Sequence, residues 1–388
     1  MSAFLYQLLE EYNNEDIQSP STHQLLSEEQ SQQLIEYAQT IDEETLINDF
    51  YGAIYLIPRK LFSILVHSLS SHDDATKSGW DQSASAILQY FGICIGSISN
   101  QMKLSAFFPK DEVKEGNIVE FANVLLNEQI LERPETAVSD ELKFLILSFL
   151  ASLLSVKSDG AVHPDMFQKN IKAQQEAFSE RIQKAVLSLT PVLLTLTESF
   201  AVPVINLIIA IHQDLATREK RNAFIDQLTL DYDAAKSFSD GFLAQFNYLT
   251  LDIYNSLIFV QSVMALQDER SDINLFVTND INFLVDIILR EEEKWSETLY
   301  AQDEKKLKTN PVLCMYETRL NYLKTLHSIT KSKLYLHEKV TKEVYKHKEI
   351  IEILRKVLNE PEPTGAPKIF FSLKEEALEI LDNKCFFK

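Results

Sequence analysis

Apolar residues recur at three- and four-residue spacings along almost the whole chain, and the alternation expected of a half-buried strand is nearly absent. This pattern predicts helices over SEEQSQQLIEYAQT (residues 27–40), Glu44–Ser70, Ser83–Gln101, Asn117–Leu131, Asp140–Val156, Pro164–Leu189 and Val192–Ile211. It continues with Asp214–Leu230, Asp231–Gln267, Asp280–Leu299, Pro311–Ser328, Leu334–Leu358 and a short helix over Ser372–Leu381. Ser27 opens a capping box with Gln30, three residues on. Pro164 and Pro311 stand at helix starts, where the missing N–H costs little. Runs such as FLILSFLASLL and VPVINLIIAI are apolar on most sides and read as central helices flanked by neighbours.

A dozen helices joined by short polar breaks outline an all-α protein of the armadillo/HEAT-like α-solenoid type, whose repeats leave the weakest sequence signature. No tetratricopeptide or ankyrin signature is present. The expected organisation is an acidic N-terminal segment over 1–40 followed by one helical domain over 41–388. Two breaks read as loops, Ala301–Pro311 and the Pro-rich NEPEPTGAPK over Asn359–Lys368.

Residues 275–290, LFVTNDINFLVDIILR, are the most sharply patterned stretch. Thr278 or Asn279 can cap the helix, and Asp280 falls in its first turn beside the positive dipole end. Ile281, Leu284, Val285 and Ile288 form one apolar stripe. Phe283 and Ile287 add a second face, which predicts a sandwiched helix, and Asp286 and Arg290 are spaced for an i, i+4 ion pair.

Composition narrows the function. Only 8 of 388 residues are glycine, and the near pair Gly92 and Gly96 has no nucleotide-binding pattern around it, which disfavours an ATPase, a kinase or a dinucleotide enzyme. Cys94, Cys314 and Cys385 are too far apart in sequence for a zinc cluster or a disulfide framework and suit a reducing compartment. The N-terminus lacks the basic and apolar regions of a signal peptide, and the greasiest runs, Phe144–Val156 and Phe200–Ile211, are too short to span a bilayer. The expectation is a cytoplasmic protein with no membrane insertion.

The net charge of −20 is unevenly spread. Residues 1–58 hold eleven Asp and Glu and no Lys or Arg, whereas residues 301–360 hold 13 basic against 8 acidic residues. An acidic total argues against nucleic-acid binding. The local reversal is a candidate docking surface for an acidic protein partner: between Arg319 and Lys348 there are eight Lys and Arg, opposed by Glu338 and Glu343.

Catalytic chemistry finds little footing. His67 and the His72-Asp73 pair lie too close together in a loop-like stretch to converge on a metal from separate helices. His327, His337 and His347 are ten residues apart, about 80° out of register on a helix, so they share no face. No HExxH or GxSxG motif occurs. A metal-dependent helical hydrolase on His67 and His72-Asp73 is a remote alternative, marked by stoichiometric metal in the purified protein.

The Thr-Asn-Asp cap, Leu284-Val285-Asp286-Ile287-Ile288, Arg290 and the following Leu320-x-Tyr322-Leu323 resemble the leucine-rich domain of the WISH/DIP family, the vertebrate Nck-interacting protein with an SH3 domain and its smaller fungal relatives. The resemblance covers residues 275–358. The chain departs from the vertebrate member in having no SH3 domain or long Pro-rich segment, and it carries a longer insertion after Arg290. The resemblance implies an armadillo-like fold, no enzymatic activity and no cofactor. It also implies a function: activating the actin-related protein 2/3 complex without a preformed filament. The product is an unbranched filament that seeds assembly at endocytic cortical patches, so the filament end is met indirectly. A helical scaffold for another protein complex is the alternative.

Activators of the branching type carry an amphipathic actin-binding helix and an acidic tail with a Trp. The C-terminus LDNKCFFK has neither, and the acidic EEEKW of Glu291–Trp295 continues a helix. The expected contact is instead a folded basic ridge. On a continuous helix Leu334–Leu358, the residues Leu336, Val340, Val344, Ile351, Leu354 and Leu358 form the buried stripe. Lys339, Lys342 and Lys346 fall within about 60° of one another and about 125° away from it. Lys331 and Lys333 precede them. His347 falls on the apolar side as a hydrogen-bonded, partly buried histidine.

Overall fold

In a computed structural model the described residues are 26–40, 61, 65, 82–90, 140–154, 194, 201–215, 217–300, 310–337, 344–362 and 366–382. They are almost entirely helical, and no strand occurs among them. The predicted helices Asn117–Leu131 and Pro164–Leu189 lie outside the described residues, as do His67, His72, Asp73, Lys339 and Lys342; of Glu44–Ser70 only Leu61 and Leu65 are described, both helical and buried. The chain divides into two compact units, Met1–Leu196 with Asn206–Asp214, and Thr197–Ile205 with Leu215–Lys388. That division falls inside the 41–388 segment, where the sequence offers no linker.

In the first unit, α1 (Glu28–Thr40) starts as expected. Ser27 N donates to Gln30 Oε1 at 2.8 Å and Gln30 N to Ser27 Oγ at 3.1 Å, so two donors at the helix start are satisfied reciprocally. Ser83, in the helical stretch 82–90, donates to the Leu26 carbonyl at 3.0 Å. Helix α2 (Asp140–Leu154) buries Leu142, Ile146, Leu147 and Phe149. Helix α3 (Ala201–Asp214), whose residues are divided between the two units, tolerates Pro203 because it sits in the first turn, before an intrahelical N–H is needed.

The second unit contains α4 (Arg218–Leu228), α5 (Tyr232–Asn247), α6 (Ile253–Glu269), α7 (Thr278–Tyr300), α8 (Asn310–Lys331), the single turn α9 (Lys333–His337), α10 (His347–Asn359) and α11 (Lys368–Leu381). Two helices read as continuous from sequence are broken. Asp231–Gln267 divides into α5 and α6 at a turn in which Leu249 takes a left-handed conformation (φ 56°) and Asp252 caps α6 through Asn255 N. Leu334–Leu358 divides into α9 and α10, with Lys346 left-handed at φ 50° as the N-cap of α10. Neither break contains glycine or proline, so the usual punctuation is missing. The second break also rotates the buried face: α10 buries Ile350, Ile353, Leu354 and Val357, while Ile351 and Leu358 are only half-buried.

Cross-helix contacts show how α5 to α11 stack. On α5, Ser239 approaches Asp280 and Asn247 meets Arg290 of α7, so these helices run parallel. Asp286 and Glu293 of α7 reach Lys346 at the start and Lys356 in the last turn of α10, again parallel. On the other side Leu257 and Gln261 of α6 meet Thr325 of α8, and Asp268 meets Lys333 just beyond its end. Tyr316 and His327 of α8 meet Phe370 and Glu376 of α11 in the same sense. Three consecutive helix pairs, α5/α6, α7/α8 and α10/α11, therefore lie side by side, with first helices parallel to one another and second helices parallel to one another. Ile281, Leu284, Val285 and Ile288 of α7 are buried, as the stripe predicts, and Ile287 of the second face is buried with them. Phe283, expected on that second buried face, is instead 39% exposed.

Candidate protein-interaction surface

Of the five lysines singled out from sequence, Lys331, Lys333 and Lys346 are described and fall in three different elements, while Lys339 and Lys342 lie outside the described residues. Lys331 is exposed in the last turn of α8. Lys333 is exposed but committed: its N–H donates to Asp268 Oδ1 at 2.9 Å and its Nζ to the Asp268 carbonyl at 2.7 Å. The ammonium thus sits at the C-terminal, electronegative end of α6. Partial burial pushes the Asp268 carboxyl upward against the opposing pull of Lys333. Lys346 is not helical, and its Nζ lies 2.8 Å from Asp286 Oδ1. That carboxylate raises the lysine's proton affinity and cancels its charge locally.

Asp286 and Arg290 therefore do not pair with each other as their spacing suggests. Asp286 accepts from Tyr345 Oη at 3.1 Å as well as from Lys346, and Tyr335 Oη donates to the Tyr345 carbonyl at 2.6 Å. These bonds hold the left-handed turn at Lys346, offsetting a cost of about 1–2 kcal/mol for a non-glycine residue there. Arg290 instead clasps the end of α5, donating to Asn247 Oδ1 at 2.8 Å and the Asn247 carbonyl at 3.1 Å, and pairs with Glu291. The cap of α7 also differs in detail. Asp280 Oδ2 accepts from Val277 N at 3.0 Å, so Val277 is the N-cap and Asp280 the residue that reaches back.

Arg319, counted from sequence among the surface cations, is fully buried. Its Nη1 and Nη2 donate to Glu360 Oε2 and Oε1 at 3.0 and 2.6 Å, and its Nε to Glu292 Oε2 at 3.1 Å. Two carboxylates and one guanidinium are thus enclosed where α7, α8 and the end of α10 meet. Glu292 is buried, and Glu291 is nearly so with Arg290 and Lys294 on it, which removes EEEKW from service as an exposed acidic tail. Burial pushes the Glu292 carboxyl up to about 7 despite Arg319. Burial likewise pushes the Tyr322 phenol upward, with Glu291 and Glu292 adding to it.

Among the described histidines, His327 packs against α11 with Nδ1 2.5 Å from Glu376 Oε1. Glu379 completes a group whose ligand-type atoms lie within 4.8 Å. Two ligands of one ion stand roughly 3 Å or more apart, so the closest pair here is a hydrogen bond rather than a metal bridge. His347 is half-buried in the first turn of α10. Sequence reasoning missed the His327–Glu376 pair because its partners lie 49 residues apart.

What the described residues define is an all-α protein whose second unit carries three helix pairs side by side and a basic stretch partly neutralised by Asp268 and Asp286. Set against protein-family models and curated proteins, the chain matches none of them. No described helix is long and apolar enough to cross a membrane.

Proposed function

We propose that the three stacked helix pairs are part of an armadillo-like solenoid and that the chain activates the actin-related protein 2/3 complex to nucleate unbranched filaments. The observation carrying this reading is the place of residues 275–290: the segment resembling the WISH/DIP leucine-rich domain is the buried first helix of the central pair, flanked on both sides by parallel helices. A resemblance in core positions bears on the domain that those positions build. Such an activator uses a folded surface that binds the active arrangement of the complex more tightly than the inactive one, typically by about 1–3 kcal/mol. It works without cofactor or catalysis, at cytoplasmic actin patches.

The test is single-filament fluorescence with purified chain, actin and the complex, and no preformed filaments. Linear filaments that require all three components are expected. Branches, or no effect, reject the reading and leave a scaffold for another complex.

The basic surface is tested separately. Lys346 is spent on Asp286, so K331E/K339E/K342E is the informative variant, and K346E would disturb the turn as well. The triple variant is expected to slow activation several-fold in pyrene-actin assembly, with the deficit shrinking as salt is raised, because rim charges act chiefly on association rate. An unchanged rate at physiological salt removes this surface.

A further inference from the structure

We propose that Glu292, Arg319 and Glu360 form a proton-operated latch: with a proton on Glu292 the α7, α8 and α10 junction is closed, and loss of that proton to solvent loosens it. The inference does not depend on the proposed function.

The geometry identifies which carboxyl takes the proton. Glu360 accepts two hydrogen bonds from Arg319 in a fork, at 3.0 and 2.6 Å, and its backbone carbonyl accepts from Lys374 Nζ at 2.7 Å. Glu292 has one bond, from Arg319 Nε at 3.1 Å, and its other oxygen is buried with no hydrogen-bond partner. Fully ionised, the three groups carry a net charge of −1, with the Glu292 carboxylate held away from water by a single hydrogen bond, and a poorly matched buried charge is costly. With one proton on Glu292 the cluster is neutral.

Among the described residues the charges around Glu292 are committed to other partners. On α7 itself, Glu291 is shared by Arg290 and Lys294. From α10, Lys346 is held by Asp286 and Lys356 by Glu293 and Glu352. From α8, among the described side chains, Arg319 answers Glu292, beside the Tyr316 and Tyr322 phenols, both of which are pushed upward by burial. Lys374 of α11 points at the Glu360 carbonyl and the Phe370 ring.

The direction of the effect follows. The folded value of about 7 lies above the ordinary 4.5, so the stabilisation is complete below pH 4.5 and is lost as pH rises through 7. Proton linkage between those two values predicts about 30-fold more opening at pH 8.5 than at pH 5.5.

Hydrogen exchange on the full chain, corrected for intrinsic exchange rates, measures this in peptides covering residues 315–330 and 350–360. Wild type should lose protection about 30-fold across that range, whereas E292Q and the apolar E292M should hold it nearly constant. The same pH dependence in wild type and a folded variant overturns the latch. Should both variants fail to fold by circular dichroism, infrared spectroscopy of wild type decides. A buried carboxylic-acid carbonyl band that disappears between pH 6 and 8.5 is expected, and a spectrum without one overturns the proposal.

Discussion

Arg319→Ala should lower the stability of the Thr197–Ile205/Leu215–Lys388 unit by about 3–5 kcal/mol, among the largest losses any single substitution would cause here. The loss comes less from the attraction removed than from what is left behind. Glu292 and Glu360 would face each other in a site from which water is excluded, with three charge-assisted hydrogen bonds gone. Arg319→Lys should recover only part of this, since an ammonium cannot present the fork that Glu360 accepts while also serving Glu292. Replacing all three residues together, as E292L/R319M/E360L, should be close to neutral or even stabilising by about 1–4 kcal/mol, because no charge then has to be desolvated. Urea unfolding followed through Trp295 on α7, in a background where Trp80 is replaced by Phe, measures each variant. A loss below about 1 kcal/mol for Arg319→Ala would show that the cluster behaves like an exposed ion pair.

The buried charges were within reach of the sequence, and the reason they were overlooked is instructive. Arg319 stands three residues after Tyr316 and four before Leu323, and Glu292 stands four after Ile288, so both lie on their helices' buried stripes. Periodicity placed them inside; their charge argued for outside. Two buried groups of opposite sign on adjacent helices are what allows either to be there. The Ser27–Gln30 box, the α7 stripe and the Pro311 start were legible because each depends only on residues a few positions apart. The break before α10 was not. It depends on Asp286 holding Tyr345 and Lys346 from 59 residues away, and no local residue announces it. The ridge of Lys339, Lys342 and Lys346 presupposes a continuous helix, and Lys346 leaves the helical conformation at that break. Lys333 and Lys346 turned out to be neutralised by partners that only the fold brings near.

Phe242→Ala should be comparably damaging, at about 3–5 kcal/mol, and its reach along the chain tests the stacked-pair reading. Phe242 is fully buried, and its ring lies 5.7–6.2 Å from those of Phe238, Phe246, Phe259 and Phe276. It is the only one of the five rings to touch the other four among the described contacts, and it joins α5 to α6 and to the turn before α7. Truncation removes a large apolar side chain and the aromatic pairs worth about 0.5–1.5 kcal/mol beyond their area, and the surrounding rings can refill the space only in part. Phe242→Leu should cost markedly less. In a quasi-one-dimensional stack each pair is stabilised by its nearest neighbours, so the effect should decay with distance. Hydrogen exchange in Phe242→Ala should accelerate most in α5 and α6, less in α7 and α8, and least in α10 and α11. The Arg290 clasp on Asn247 is the path by which α7 would feel the loss. Uniform acceleration across all three pairs would mean that the second unit opens as a single globular core, and the solenoid reading would fall with that result.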